Sequence, residues 1–412
     1  MRTLYADVES VNNKVEEIAN LLAHPDNKFQ NLGYGFYAGK AGIAFTLFLC
    51  ARHLEKNIEE YNEAAIRILQ SCLEDLFSQE SHLPTFANGM SGLAWSLDYL
   101  SKNDFLDFDQ QDEVLDHLDH YIRVSINAYQ RDLDYLHGLQ GIIYYYISLK
   151  KPSEYFDVVK QYLENLYKKR VISDAGKAIS WEYYNPLLQR SRQNLSLSHG
   201  IASTIFLLTK IAELKNDDWQ DLCLELLNGA ANYVLSQQFA PNKYYSHFPT
   251  LSLDGCDKED VDYSSRLAWC YGDLGIANSL LRASNLLDNT MLKETSLAIL
   301  KSSTQRRSFA ETTLYDNGFC HGRAGVANIY DHLYLITDDH QLKEARDYWV
   351  LQTLKTANFD DGLAGFKTYN GEKQIYENDY GLLNGVSGIG LSLLCSATSR
   401  NDLLDWREAM ML

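Results

Sequence analysis

The sequence predicts an all-α fold, an α/α toroid of seven inner and seven outer helices in one domain spanning residues 1–412, with a small β-containing extension inserted. Three observations predict it. A Gly-x-x-Gly motif recurs from one end of the chain to the other. A wholly apolar segment follows each copy. An amphipathic stretch separates one copy from the next.

The copies begin at Gly39, Gly89, Gly138, Gly200, Gly272, Gly322 and Gly385, with steps of 50, 49, 62, 72, 50 and 63 residues. The copy at Gly200 is degenerate and ends on Ser203. One such motif carries almost no information, but seven at quasi-regular spacing indicate a repeat architecture. Segments such as Ile43-Ala44-Phe45-Thr46-Leu47-Phe48-Leu49 are apolar on nearly every side, which marks helices buried all round. In the first interval Ile58, Tyr61, Ala65, Ile68, Cys72 and Leu76 follow helical steps with charged residues between them, the pattern of a half-buried helix. Each repeat therefore supplies one inner and one outer helix, with the glycines at the inner-helix N-termini, where small residues let backbones meet. An open solenoid would use the same pairs. Closure is preferred because it gathers polar residues from several copies at one mouth.

Two intervals, about 170–197 and 241–265, break the rhythm. Both lack a helical period, and Pro186, Pro241 and Pro249 fall within them. They are expected to form the β-containing extension.

The net charge of −18 argues against nucleic-acid binding, which needs a basic footprint. Seven cysteines spread thinly over the chain do not resemble a secreted disulfide framework. The first residues contain no apolar signal core, and no apolar run approaches the ~18 residues that span a bilayer. A cytoplasmic protein with reduced thiols is expected.

The chemistry centres on W-C-Y-G-D-L-G-I-A, which holds Cys270, and C-H-G-R-A-G-V-A, which holds Cys320 and His321. Each places soft metal ligands before a motif glycine. Two thiolates and one imidazole suit a zinc ion, one per chain, with its fourth position open, as catalytic zinc requires. No C-x-x-C pair of the kind common in structural zinc sites occurs. Neighbours in a regular helix point about 100° apart, so Cys320 and His321 can share a metal only from a loop or helix end.

These two motifs, S-H-G-I-A around His199, Arg266 four residues before Cys270, and the late L-L-N-G-V-S-G-I-G together resemble the LanC family, the lanthionine synthetase C cyclases of lantibiotic biosynthesis. The resemblance covers essentially the whole chain. It implies an α/α toroid with a central zinc and a small SH2-like extension. The activity it implies is addition of cysteine thiols of a dehydrated precursor peptide to dehydroalanine or dehydrobutyrine, closing thioether rings. It further implies a leader-bearing precursor as partner, a separate dehydratase, an export transporter and a membrane-bound biosynthetic complex that the enzyme can join.

That reaction needs a thiolate, a proton at the α-carbon and a stabiliser for the enolate between them. His199, just before Gly200, is the expected general acid, although a histidine here could equally be a hydrogen-bonded core residue. Arg266 could hold the enolate oxygen or an acidic partner, or be an ordinary surface arginine, and would share a face with Cys270 if the helix reached back that far. Asp134 could orient His199 or pair with Arg266, and its ordinary alternative is a helix cap. Tyr271 could donate to substrate or simply pack. His137 is read as a wall residue. Addition of glutathione or another thiol to dehydroamino acids, and a peptide-binding module with zinc, are the alternative functions.

Overall fold

A computed structural model of the chain describes residues 7–24, 29, 31–78, 82–106, 111–129, 133–149, 152–185, 190–240, 243–254 and 263–412. In chain order the helices are α1 (Val8–Ala23), α2 (Lys40–Leu54), α3 (Ile58–Ser78), α4 (Met90–Lys102), α5 (Gln111–Ser125), α6 (Leu139–Ser148), α7 (Phe156–Lys169), α8 (Ile201–Glu213), α9 (Gln220–Ser236), α10 (Asp273–Leu286), α11 (Thr290–Ser303), the single turn α12 (Phe309–Thr312), α13 (Arg323–Thr337), α14 (His340–Lys355) and α15 (Val386–Ala397). The β structure among the described residues is three antiparallel hairpins: β1 (Val171–Ser173) with β2 (Ala178–Ser180), β3 (Tyr183–Asn185) with β4 (Arg190–Arg192), and β5 (Thr368–Asn370) with β6 (Ile375–Glu377).

Helices α2, α4, α6, α8, α10, α13 and α15 each start directly after the first glycine of a motif copy. They are the apolar segments of the sequence, and α2 is buried without interruption from Lys40 to Ala51. Their N-caps are glycines without a side-chain cap. Instead the first helical N–H finds a backbone carbonyl seven residues back: Lys40 N to Gly33 O at 2.8 Å, Met90 N to Leu83 O at 2.8 Å, Ile201 N to Asn194 O at 2.7 Å and Val386 N to Asp379 O at 2.9 Å. That carbonyl occupies the space of a side chain at the cap. A Cβ on Gly89 would stand 2.1 Å from Leu83 O, and one on Gly200 2.2 Å from Asn194 O. The motif glycines thus make room for their own preceding loop. Contact between backbones of neighbouring loops, expected of the motif, falls instead to Gly35 against Asn88 and Gly318 against Asn384.

The chain divides into two compact units. One joins Met1–Arg123 to Leu314–Met410, and the other runs from Val124 to Thr313 and takes in Met411–Leu412. In the first, α13, α15, α2 and α4 pack in that order, with α14 against α13 and α3 against α2. The amphipathic partner of the last glycine helix, α15, is the first helix of the chain, α1, whose Val11, Val15, Ile18, Ala19 and Leu22 form its buried stripe. The stripe expected on α3 is buried at Tyr61, Ala65, Ile68, Cys72 and Leu76, whereas Ile58, at its first residue, is exposed. Trp406, from a 3₁₀ segment at Asp405–Met410, packs edge-on to Phe45 and Phe319 and closes this core. In the second unit α8 packs against α6 and α10, with α7, α9 and α11 as the amphipathic layer.

The first two hairpins lie in the interval 170–197, as expected. The described part of 241–265 contains bends without a strand, and the third hairpin arises in the α14–α15 connection. Pro186, Pro241, Cys256 and most of the acidic run to Asp262 lie outside the described residues. Among the described residues no helix is long and apolar enough to cross a membrane.

Candidate metal centre and catalytic residues

Each glycine helix is entered through a tight turn, and all the candidate residues except Asp134 and Arg266 occupy the last two places of these turns. Cys270 and Cys320 both stand two residues before the cap glycine, and His199, Tyr271 and His321 stand one before it. The turn backbones are held to one another. In the first unit Cys320 N donates to Leu383 O at 2.8 Å, Leu383 N to Tyr37 O at 2.8 Å and Tyr37 N to Ala87 O at 2.9 Å. All four residues take the same place in their turns. In the second unit Leu197 N and Ser198 N donate to Cys270 O at 3.0 and 3.3 Å. The two cysteines are therefore carried by hydrogen-bonded backbone rather than by mobile loops.

One ligand atom from each of Cys270, Cys320 and His321 lies within 4.8 Å of the other two. In a tetrahedral zinc site with Zn–S near 2.3 Å, ligand atoms stand about 3.8 Å apart, so the grouping needs only small side-chain adjustments to close on an ion. Two sulfurs and one ring nitrogen fit zinc by donor chemistry, and three ligands leave a fourth position. Cys320 and His321 do come from the turn before α13, which resolves the angular problem of adjacent ligands. The cysteines elsewhere are chemically different. Burial pushes the thiols of Cys50, Cys72 and Cys223 up to about 12 and raises that of Cys395. They are protonated core residues.

His199 and Asp134 form a pair, with Nδ1 of the imidazole against Oδ2 of the carboxylate. The other carboxylate oxygen accepts from His137 N at 2.8 Å. Asp134 thus pairs with His199 while also accepting from the turn before α6. The His199 backbone N–H donates to Ser196 Oγ at 3.1 Å, which fixes the ring from its other end. The Tyr271 ring lies 6.1 Å from that of His199, and burial raises its phenol above the ordinary value. The exposed His137 ring stacks 6.1 Å from His199 on the other side, as a wall residue would.

Arg266 departs from expectation in one respect. Helix α10 begins at Asp273, so Arg266 lies in the preceding loop and shares no helical face with Cys270. Its carbonyl packs under Gly272, where a Cβ would meet it at 2.2 Å. Among the described residues its half-buried guanidinium has no ion-pair partner, so it does not take up Asp134.

Two structural residues escaped the sequence. Asp273, the last letter of W-C-Y-G-D, is fully buried and accepts from His247 N at 3.0 Å and Phe248 N at 3.1 Å. Arg306 lies 3.4 Å from it and also donates to Ser265 O at 2.5 Å and Glu311 O through Nε at 2.8 Å. Together they fasten both ends of the loop that carries Arg266 and Cys270. The signal for Asp273 was present in its place directly after the glycine. Arg306 had none.

The family model described as "Lanthionine synthetase C-like protein" matches residues 30–411. The nisin biosynthesis protein NisC of Lactococcus lactis subsp. lactis is 23% identical over 408 residues, covering 93% of this chain and 90% of its own. A solved nisin cyclase structure superposes with a TM-score of 0.73 at 20% identity, covering 98% of this chain and 96% of that one. That likeness shows the fold, the all-α toroid class with small β additions. The chain belongs to the lanthionine synthetase C-like family.

Proposed function

We propose that the protein is a zinc-dependent lanthipeptide cyclase that joins cysteine thiols of a dehydrated precursor to its dehydroalanine and dehydrobutyrine residues. The observation that carries this reading is the convergence of Cys270, Cys320 and His321, whose ligand atoms lie within 4.8 Å of one another, a set of three donors where a closed structural zinc site has four. When bound, zinc supplies the Lewis acidity that keeps a substrate sulfur as thiolate at neutral pH.

The remaining work falls to side chains around it. Asp134 holds a proton on Nδ1 of His199, which leaves Nε2 as the nitrogen that exchanges a proton with a reactant. Nε2 of His199 takes up the proton that the thiol loses, sulfur adds to the β-carbon, the alkene electrons move onto the carbonyl, and as they return His199 gives that proton to the α-carbon, so the S–H proton ends as the α-C–H. Arg266, with no ion-pair partner among the described residues, is the cation assigned to the carbonyl oxygen as negative charge grows there. Tyr271, with a phenol kept protonated by burial, is a hydrogen-bond donor at neutral pH. A cytoplasmic setting and partnership with a dehydratase and an export transporter accompany this reading.

The test is incubation of the zinc-loaded protein with a dehydrated cysteine-containing peptide, counting free thiols by alkylation and mass. Ring closure leaves the peptide mass unchanged while alkylatable thiols disappear. Loss of thiols no faster than in an enzyme-free control overturns the reading.

A further inference from the structure

Hairpin β1–β2 is anchored on one side only. Its inner strand β2 is buried at Ala178, Ile179 and Ser180. Ile179 packs against Gly229 of α9, where a Cβ would come within 2.5 Å of it, and Asn232 Nδ2 donates to Lys177 O at 2.9 Å. The outer strand β1 is exposed along its length, with Val171 at 40% and Ile172 at 51%. Among the described residues β1 pairs with β2 alone, so its far edge keeps free backbone donors and acceptors.

The charge around this edge runs against the rest of the chain. Residues 168–180 hold four cations, Lys168, Lys169, Arg170 and Lys177, against the single acid Asp174, in a protein of net charge −18. Lys168, Lys169 and Arg170 lead into β1, and Lys177 stands where β2 begins, so positive charge sits at both ends of the hairpin. Lys168 is 3.6 Å from Glu164, but its side chain is 74% exposed, and such a pair gives up its partner at little cost. An edge guarded only against aggregation would carry its charge within the strand. Here the strand itself is Val-Ile-Ser.

We propose that the free edge of β1 is a docking strand for an extended acidic segment of the precursor peptide, paired through its backbone and selected by the flanking cations. Backbone pairing is indifferent to the sequence bound, while the cations choose its charge. The occupant rests on the cyclase reading above, since a peptide cyclase has an unfolded chain as substrate.

The experiment uses the full zinc-loaded chain and a fluorescein-labelled peptide of about ten residues alternating Asp with Val, followed by anisotropy, with a Lys-for-Asp peptide as control. The acidic probe should bind, weaken as salt rises, and lose affinity about tenfold or more in the double variant Lys168→Glu/Lys177→Glu. Ile172→Pro places a proline in the middle of the edge strand, the kind of strand that tolerates it, and should disrupt backbone pairing there and weaken binding without changing zinc content. Both variants should close a ring at the wild-type rate in a short substrate that lacks the acidic segment. Equal binding of the basic peptide, or unchanged affinity in both variants, overturns the docking strand. Ring closure failing while probe binding holds would instead defeat the cyclase reading and leave the docking strand standing.

Discussion

Asp134 holds His199 through Nδ1 and caps the His137 backbone with its second oxygen, so one carboxylate both ends a turn and sets a tautomer. Of the alternatives the sequence left open for Asp134, a contact with His199, a pair with Arg266 or a helix cap, its side chain makes the first, and it accepts from the turn before α6 while Gly138 takes the cap position. If His199 handles the α-proton, His199→Asn should keep the metal yet slow cyclisation by about 10² to 10⁴. Asp134→Asn should lose part of that factor, because an amide can orient the ring but cannot hold the same proton. Rates must be compared with an enzyme-free control, since thiols add slowly on their own. A wild-type rate in His199→Asn with zinc intact would make His199 structural.

Arg266 separates charge from geometry. Arg266→Ala should lower the rate with little change in zinc content, because the enolate charge exists only in and after the transition state. Arg266→Lys should recover a part, since an ammonium supplies charge without the planar fork. Equal loss of zinc and activity in both would assign the residue to holding the loop before Cys270.

Much of this was readable in the sequence because the motif glycines answer a local demand. At Gly39, Gly89, Gly200 and Gly385 a carbonyl seven residues before the first helical residue caps the helix and fills the space of a Cβ, so the requirement is written within a few positions of the helix start. The candidate metal group was readable for the same reason, as Cys270, Cys320 and His321 sit in fixed places of that frame. What escaped depends on contacts remote in sequence. Arg306 meets Asp273 from 33 residues away, and α1 partners α15 from the opposite end of the chain. Hairpin β5–β6 was missed although Asn370-Gly371 is a recognised hairpin signal. Its strands are three residues each and half exposed, too short to show a period.

Gly272 differs from the other cap glycines in having φ +89°, a left-handed conformation, while a Cβ there would also lie 2.2 Å from Arg266 O. Gly272→Ala should destabilise the fold by about 2–4 kcal/mol and reduce zinc retention, since the displaced loop carries Cys270. Gly371→Ala, with nothing within 4 Å of the added carbon, is the control and should stay within about 0.5 kcal/mol of wild type. Thermal unfolding and metal analysis of the pair decide the matter.

Glu311 closes a capping box on Ser308, and the N–H groups of Ser308 and Arg307 hold its carboxyl down at about 2, against 4.5 in an unfolded chain. A depressed folded pKa contributes stability that is present above pH 4.5 and lost as pH falls towards 2. Glu311→Gln should therefore cost stability at neutral pH, and the difference from wild type should shrink on acidification through that window. Glu311 is only half-buried, so solvent screening keeps the effect small. A gap that widens on acidification would contradict the assignment.

The metal prediction rests on a contrast between cysteines of one chain. Cys270 and Cys320 stand in glycine-framed turns with His321 close by, whereas Cys223 is buried in α9 with its thiol pushed up to about 12. Zinc binding requires the thiolate, which the environment of Cys223 disfavours. Cys270→Ala and Cys320→Ala should each bring bound zinc well below one equivalent while the helical content persists, because the turns are held by backbone hydrogen bonds that do not involve sulfur. Cys223→Ala should keep its zinc and lose roughly 1–2 kcal/mol of stability from the small cavity it leaves. Metal analysis beside thermal unfolding of the three proteins gives the answer. Undiminished zinc in Cys270→Ala would remove that cysteine from the site, and loss of zinc in Cys223→Ala without unfolding would place a ligand where no glycine frame exists.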